Sequence, residues 1–184
     1  MAEHLSNRLA STMSSLRKVA EFQPRAERPA AIALDAIDKT ILCALQEDGS
    51  LSISELADRL GMTPPPCWRR VRRLRDAGVL KRQIWLVDPD AIGLHVMLYA
   101  TVKLATHNAE EMKAFKEEVQ KLPEVLECSI LLGRTDVILK MIVPDISQYE
   151  SFFYQKLTQL PGVREVITGV VMTRVKEASA LPVL

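Results

Sequence analysis

Residues 51–78 read LSISELADRLGMTPPPCWRRVRRLRDAG, and two helices meeting at a tight turn account for them. Ser52-Ile53-Ser54-Glu55 has the form of a capping box, a serine placed to accept from a helix amide and a glutamate three residues on placed to reach back. It opens a short helix that turns Ile53, Leu56, Ala57 and Leu60 inward, and Gly61 supplies a left-handed stop. A second helix follows almost at once, with Thr63 as its cap, Pro64 at its first position and Gly78 past its end. A helix-turn-helix needs a small residue where the helices cross, a residue tolerant of positive φ in the turn, and apolar residues that lock the second helix. Ala57, Gly61 and the set Leu56, Leu60, Met62, Cys67 and Val71 meet those needs in order.

The second helix exposes an unusual surface. At about 100° per residue, Cys67, Val71 and Leu74 point inward and Arg69, Arg72, Arg73 and Asp76 outward, with Trp68, Arg70 and Arg75 on the flanks. From Met62 to Arg82, Arg69, Arg70, Arg72, Arg73, Arg75, Lys81 and Arg82 stand against one acid, Asp76, so a segment of charge +6 sits in a chain of net charge +1. Such a cluster on an otherwise acidic chain reads as a phosphate-contacting surface, and the expected partner is double-stranded DNA. Residues near the N-terminus of a recognition helix reach base edges, so Thr63, Pro65, Trp68 and Arg69 are the readout candidates, while later arginines hold phosphates. Ser52, Arg70, Arg72 and Arg73 complete the candidate DNA-binding set. For Trp68, packing against the wing or the first helix competes with a DNA contact. Pro64, Pro65 and Pro66 fall where backbone N–H groups have no intrahelical acceptor, but they cannot donate to a phosphate.

Upstream, residues 1–33 read as an arm and linker, with a helix over Leu5 to Val19. Asp35 then caps a helix, with Asp38 placed for a capping-box contact and Ile37, Ile41, Leu42 and Leu45 at helical spacing. Downstream, Val79 to Val87 alternates enough for a short strand pair, the wing, with Trp85 in the core, and Asp88-Pro89-Asp90 breaks it. Residues 34–93 are thus expected to form a winged helix-turn-helix.

The second half follows another pattern. Residues 96–104 alternate strictly, as a half-buried strand does. A helix spans Ala109 to Lys121, with Met112, Phe115 and Val119 inward, and a strand runs to Leu132. The order repeats as a strand over 136–143, a helix over 145–159 carrying Ile146, Tyr149, Phe153 and Leu157, and a strand reaching Val175. The phrases starting at Leu122 and Leu160 share the pattern LPxVxE, 38 residues apart. Two βαβ halves in tandem make a ferredoxin-like βαββαβ domain over residues 94–176, with 177–184 as a tail, so the fold class is α+β. Helices on one face leave the other face of the sheet needing cover. Either Met97 and Tyr99 or Val96 and Leu98 lie there, and a homo-oligomer is expected.

Composition excludes other classes. Hydrophobic residues make up 48% of the chain, too many for disorder, and no apolar run approaches the roughly 18 residues of a membrane span. The first residues lack the apolar region of a secretory signal, so a cytoplasmic location and no membrane partner are expected. Cys43, Cys67 and Cys128 and His4, His95 and His107 are scattered, which argues for reduced thiols and no metal site or cofactor. No nucleophile–base pair, paired-carboxylate motif or glycine-rich phosphate loop suggests an enzyme.

The phrase LDAIDKTILCALQEDGSLSISELADRLGMTPPPCWRRVRRLRDAGVL, followed by the βαββαβ half with Gly133-Arg134-Thr135-Asp136, resembles the leucine-responsive/asparagine-regulator (Lrp/AsnC) transcription factors. The resemblance runs from about Leu34 to Leu181, and the Thr-Pro-x-Pro-Cys-x-x-Arg string makes it specific. It implies a winged helix-turn-helix joined to an effector-binding domain, dimers that assemble into octamers, and a response to a small amino acid. Pro66-Cys67-Trp68 and the ending Ala180-Leu181-Pro182 look most like regulators of amino-acid catabolism, including cysteine-responsive ones. The family's effector position matches Gly133, Arg134, Thr135 and Asp136, with Thr168, Gly169 and Val170 on the neighbouring-subunit side. Turn N–H groups with Thr135 suit a carboxylate and Asp136 an ammonium. Arg134 and Thr135 depart from the acidic and aromatic residues often found there, and an ordinary hairpin turn is the competing reading. Two other functions remain open at this point: a sequence-tolerant nucleoid organiser whose arginines serve phosphates only, and a metabolite sensor acting on a protein partner.

Overall fold

The computed structural model describes residues 32–105 and 108–183. The helix expected over Leu5 to Val19 lies outside them, as does His107. The chain divides into two compact units, one of residues 32–86 together with 175–183, the other of residues 87–174.

The first unit is built on three helices, α1 (Ala36–Glu47), α2 (Ile53–Arg59) and α3 (Pro64–Asp76). Both expected capping boxes form. Asp35 Oδ1 accepts from the Asp38 amide at 2.8 Å while Asp38 Oδ2 accepts from the Asp35 amide at 3.1 Å, and Ser52 and Glu55 make the same exchange at 3.2 and 2.8 Å. Ile41, Leu42, Leu56, Ala57, Cys67, Val71 and Leu74 share one core. Ile37, expected inside, is exposed, and its neighbour Asp38 takes the buried position. Gly61 has φ 64°, where a side chain would be strained, so the turn between α2 and α3 takes the left-handed form its glycine permits.

Thr63 occupies the cap position of α3 but makes no side-chain cap bond. The cause is covalent. A cap oxygen accepts from the second or third helical amide, and here those residues are Pro65 and Pro66, which have none. The hydroxyl is left for other donors or acceptors.

No strand forms between Val79 and Val87. The amides of Val79 and Leu80 both donate to Leu74 O, at 2.9 and 3.2 Å, so the first half of the expected hairpin is used to close the end of α3. The rest, residues 81–87, has no regular secondary structure. Trp85 is accordingly 87% exposed rather than in the core.

The second unit is a four-stranded antiparallel sheet of order β2-β3-β1-β4, comprising β1 (Val96–Leu104), β2 (Val125–Ile130), β3 (Val137–Val143) and β4 (Val163–Val170). Helices α4 (Ala109–Val119) and α5 (Ile146–Gln155) supply Phe115, Val119 and Phe152 to the same core as Leu98, Ala100, Val102, Leu139 and Met141. The alternation in β1 is thereby resolved. Leu98 and its set face the helices, and Met97, Tyr99, Thr101 and Lys103 lie on the other face, level with Ile142, Lys140 and Ile138 of β3. A 3-10 turn at Leu157–Gln159 replaces the last turn expected of α5. β4 ends at Val170 and not Val175 because its partner runs out: Val170 is level with Leu98, and Val171 N donating to Met97 O at 2.9 Å is the last rung.

Ser52→Ala removes a cap that is made, and should cost about 1 kcal/mol in denaturant unfolding. Thr63→Ala removes one that is not, and should stay within about 0.5 kcal/mol of wild type. Equal losses for the two would contradict the proline argument.

Candidate nucleic-acid interface

The arginines of α3 divide into two groups. Arg70 Nη1 donates to Asp35 Oδ2 at 2.6 Å and to Asp38 Oδ1 at 2.9 Å, and Arg73 Nη2 donates to Asp38 Oδ2. Asp38 has no solvent exposure, so its oxygens are satisfied by these guanidinium groups and the Asp35 amide. Asp35 titrates below the usual carboxylate range, first because it accepts from the Asp38 amide and then because Arg70 bonds it, and Arg70 is correspondingly held protonated. Arg70 and Arg73 therefore spend their charge inside the protein, tying α3 to the start of α1. Arg73 was expected to point outward. Half of its side chain stays exposed, but its terminal nitrogen is committed.

The second group faces solvent. Arg69, Arg75, Lys81 and Arg82 have no acidic partner among the described residues. Arg72 lies over the Trp68 ring at 5.2 Å and 3.6 Å from Asp76, an exposed pair of the weak kind. Trp68 does not join the core. It is 48% exposed, which decides against the packing reading. Thr63 and Pro65 are exposed one turn before it. α3 thus presents Thr63, Pro65, Trp68 and Arg69 from its first turns and Arg72 and Arg75 further along, while Ser52 is occupied as the cap of α2.

The other candidate residues lie on the sheet unit. Gly133, Arg134, Thr135 and Asp136 form the connection between β2 and β3, beside the end of β1, and Thr168, Gly169 and Val170 lie across from Ala100, Tyr99 and Leu98. The two groups lie on opposite sides of β1 and are offset along it, by two residues at the nearest, where Thr168 is level with Ala100 and Asp136 bonds Val102, and by more toward Val170. Asp136 Oδ2 accepts from the Leu104 amide at 2.8 Å, and its own amide donates to Val102 O at 3.2 Å. That carboxylate extends the β1–β3 ladder past its last regular rung. Thr168 Oγ1 is 2.5 Å from Tyr149 Oη, and burial pushes the Tyr149 phenol up. A Cβ added at Gly169 would meet nothing within 4 Å, so nothing in this chain explains the glycine. No cluster of potential metal ligands occurs among the described residues, nor any helix long and apolar enough to cross a membrane.

A helix-turn-helix with a cationic, solvent-facing second helix, joined to a separate antiparallel sheet domain, has the build of a DNA-binding protein with a second domain of its own. Residues 34–81 match the winged helix-turn-helix DNA-binding family, and residues 97–181 the Lrp/AsnC ligand binding domain. The chain is 38% identical over 148 residues to the leucine-responsive regulatory protein of Escherichia coli K12, covering 80% of this chain and 90% of that one. It is 33% identical over 150 residues to the E. coli K12 DNA-binding transcriptional activator DecR, covering 82% and 99%. Among solved structures, the Neisseria meningitidis transcriptional regulator NMB0573 in complex with L-Met superposes with a TM-score of 0.79 at 32% identity, covering 82% and 97%. The chain belongs to the Lrp/AsnC family of DNA-binding transcriptional regulators, whose members are not enzymes.

Asp38→Asn keeps the shape and removes the charge that two guanidinium groups share. Both arginines retain solvent, so the expected loss is about 2–3 kcal/mol, below the 3–5 typical of a fully buried pair. Acid should act in the same direction. Asp35, Asp48 and Glu55 all titrate below their ordinary values in this unit, through hydrogen bonds made when folded. Their contribution is complete above the unfolded carboxylate range and falls away as pH drops through about 4 and below. Thermal melts of wild type and Asp38→Asn between pH 7 and pH 3 check both, and an Asp38→Asn melt unchanged at pH 7 would show the cluster to be incidental.

Proposed function

We propose that the protein is a sequence-specific regulator of amino-acid metabolism genes that binds DNA as a homodimer, assembling further to an octamer, and answers to a small amino acid. The observation that carries the DNA part is the division of the arginines. With Arg70 and Arg73 held by Asp35 and Asp38, the side chains left to meet DNA are Thr63, Pro65, Trp68 and Arg69 at the N-terminal end of α3, with Arg72, Arg75, Lys81 and Arg82 beyond. The first group suits base edges and the second phosphates. A purely phosphate-binding surface would have no use for an exposed Thr63, Pro65 and Trp68 at the leading end.

Dimerisation follows from the sheet. Its helix-free face carries Met97, Tyr99, Ile138, Ile142 and Ile167 around Lys103 and Lys140; Met97 and Ile142 are already buried within this chain, and Tyr99 and Ile167 are the exposed ones that a second copy would cover. A second copy covering that face would also place two recognition helices to read half-sites about 34 Å apart. The effector assignment rests on the same pairing. The hairpin 133–136 of one copy needs the Thr168–Val170 segment of another to make a closed site, which is what a glycine with open space above it allows. In that site the turn amides and Thr135 would hold the amino acid's carboxylate. Asp136 would contribute chiefly by fixing the hairpin, since its carboxylate already has the Leu104 amide.

Arg69→Ala should weaken binding to its operator, isolated by selection from a random duplex pool, by about 1–3 kcal/mol, mainly at one base position. Arg72→Ala should weaken all duplexes alike and flatten the salt dependence by about one unit of slope. Unchanged binding in both would remove α3 as the recognition helix.

For the effector, calorimetric titration of methionine, leucine, cysteine and proline into wild type should find one that binds. Asp136→Ala should lose about 1–3 kcal/mol of stability with or without that ligand, the usual loss when a buried hydrogen-bonding group goes unpaired. A mutant of wild-type stability that no longer binds would instead make Asp136 a direct ligand.

A further inference from the structure

A cavity of about 170 Å3 lies within the DNA-binding unit, where the residues that follow α3 meet the loop between α1 and α2. Its apolar wall draws on every helix of the unit, with Leu45 from α1, Ile53 from α2 and Val71 from α3, and Leu51 and Leu80 complete it from the connections. The segment after α3 is attached at two points. Leu80 packs against the core that holds Ile41 and Leu56, and Gln83 Nε2 donates to Gly49 O at 2.6 Å. Between those attachments stand Lys81 and Arg82, which line the cavity together with Arg75. Arg75 follows Val71 by one helical turn, so it stands on the cavity side of α3 and away from Arg69. Among the described residues no acid lines the cavity, and none of these three cations has an acidic partner.

Size and charge together select the ligand. A cavity of about 150 Å3 walled by aliphatic and aromatic side chains takes up benzene, so this one has room for a branched chain of about five carbons. Water finds little to bond there, because Gly49 O already accepts from Gln83. A carboxylate at the end of such a chain meets ammonium and guanidinium donors, which bond it more strongly than they would a neutral group. An amino group beside the carboxylate would add a further cation with no acid to balance it, which disfavours a free amino acid. We propose that this cavity binds a small carboxylate with a branched apolar tail and no amino group, and that the bound anion withdraws Arg75, Lys81 and Arg82 from DNA phosphates. The binding stands on the cavity alone. The antagonism rests on the DNA contacts given to these cations under the function proposed above.

The test titrates the full-length protein by calorimetry, at matched ionic strength, with 4-methylpentanoate, with its neutral amide, and with acetate, which has the charge and no tail. The acid should bind with a dissociation constant of about 1 mM or tighter, and the amide and acetate about tenfold more weakly or worse. Leu51→Phe fills the cavity from a half-buried wall position that carries no charge, and should abolish binding. The double variant Lys81→Gln/Arg82→Gln keeps the wall and should weaken the acid about tenfold. Absence of binding, equal binding of acid and amide, or binding unchanged in both variants overturns the proposal. If Leu51→Phe fails to fold, the double variant decides, because both of its side chains are exposed. Duplex affinity keeps the two readings apart. Saturating 4-methylpentanoate should weaken wild-type DNA binding and lower its salt slope by about one, and should leave Leu51→Phe unaffected. Acid binding without any change in duplex affinity overturns the antagonism, whereas a wild type that binds no duplex even without the acid removes the DNA reading and leaves the cavity ligand standing.

Discussion

A carboxylate with no solvent exposure persists only when its oxygens are bonded, and Asp38 meets that condition with partners from two directions. Its own helix start uses it as half of a capping box. The recognition helix uses it as the anchor for Arg70 and Arg73. Adding Asp35 balances two acids against two bases, so the cluster is neutral and its desolvation is compensated within a few ångströms. The two helices are not packed by apolar contact alone. Their relative rotation is fixed by directional bonds, and rotation about the α3 axis decides which side chains reach a groove.

The same cluster changes what the basic segment means. Seven cations lie between Met62 and Arg82, but two bond internal carboxylates, which leaves Arg69, Arg72, Arg75, Lys81 and Arg82 exposed to solvent. Counting arginines in the sequence overstates the electrostatic contribution and understates the geometric one. The proline run has a comparable double effect. It starts α3 without needing caps and denies Thr63 the amides it would otherwise bond, so a hydroxyl at the leading end of the helix stays available.

Much of this was legible because it is local. Capping boxes, the left-handed Gly61 and the alternation of residues 96–104 depend on neighbours within a few positions, and each forms as the residues require. What failed to show depends on partners remote in sequence. Asp38 read as a cap and not as a buried anchor, because the guanidinium groups that bury it lie more than thirty residues away. Val79–Val87 read as a strand pair, because alternation cannot reveal that Leu74 claims its first two amides. Val170 as the end of β4 depends on where β1 begins. Asp136 could be assigned to a ligand or to a turn with equal chemical sense, and only the position of the Leu104 amide favours the second.

Phe115, Val119, Phe152 and Leu157 close one face of the sheet, while the other carries Met97 and Ile142, buried within this chain, beside the exposed Tyr99 and Ile167 and the side chains of Lys103 and Lys140. The residues matched to the effector lie on opposite sides of β1 in one chain, offset along it. On the function proposed above, another copy would bring its Thr168–Val170 segment to the hairpin. On that reading, ligand binding would be a property of the assembly. A ligand seated there would touch two copies at once, and by linkage anything that shifts the pairing of copies would shift its affinity equally.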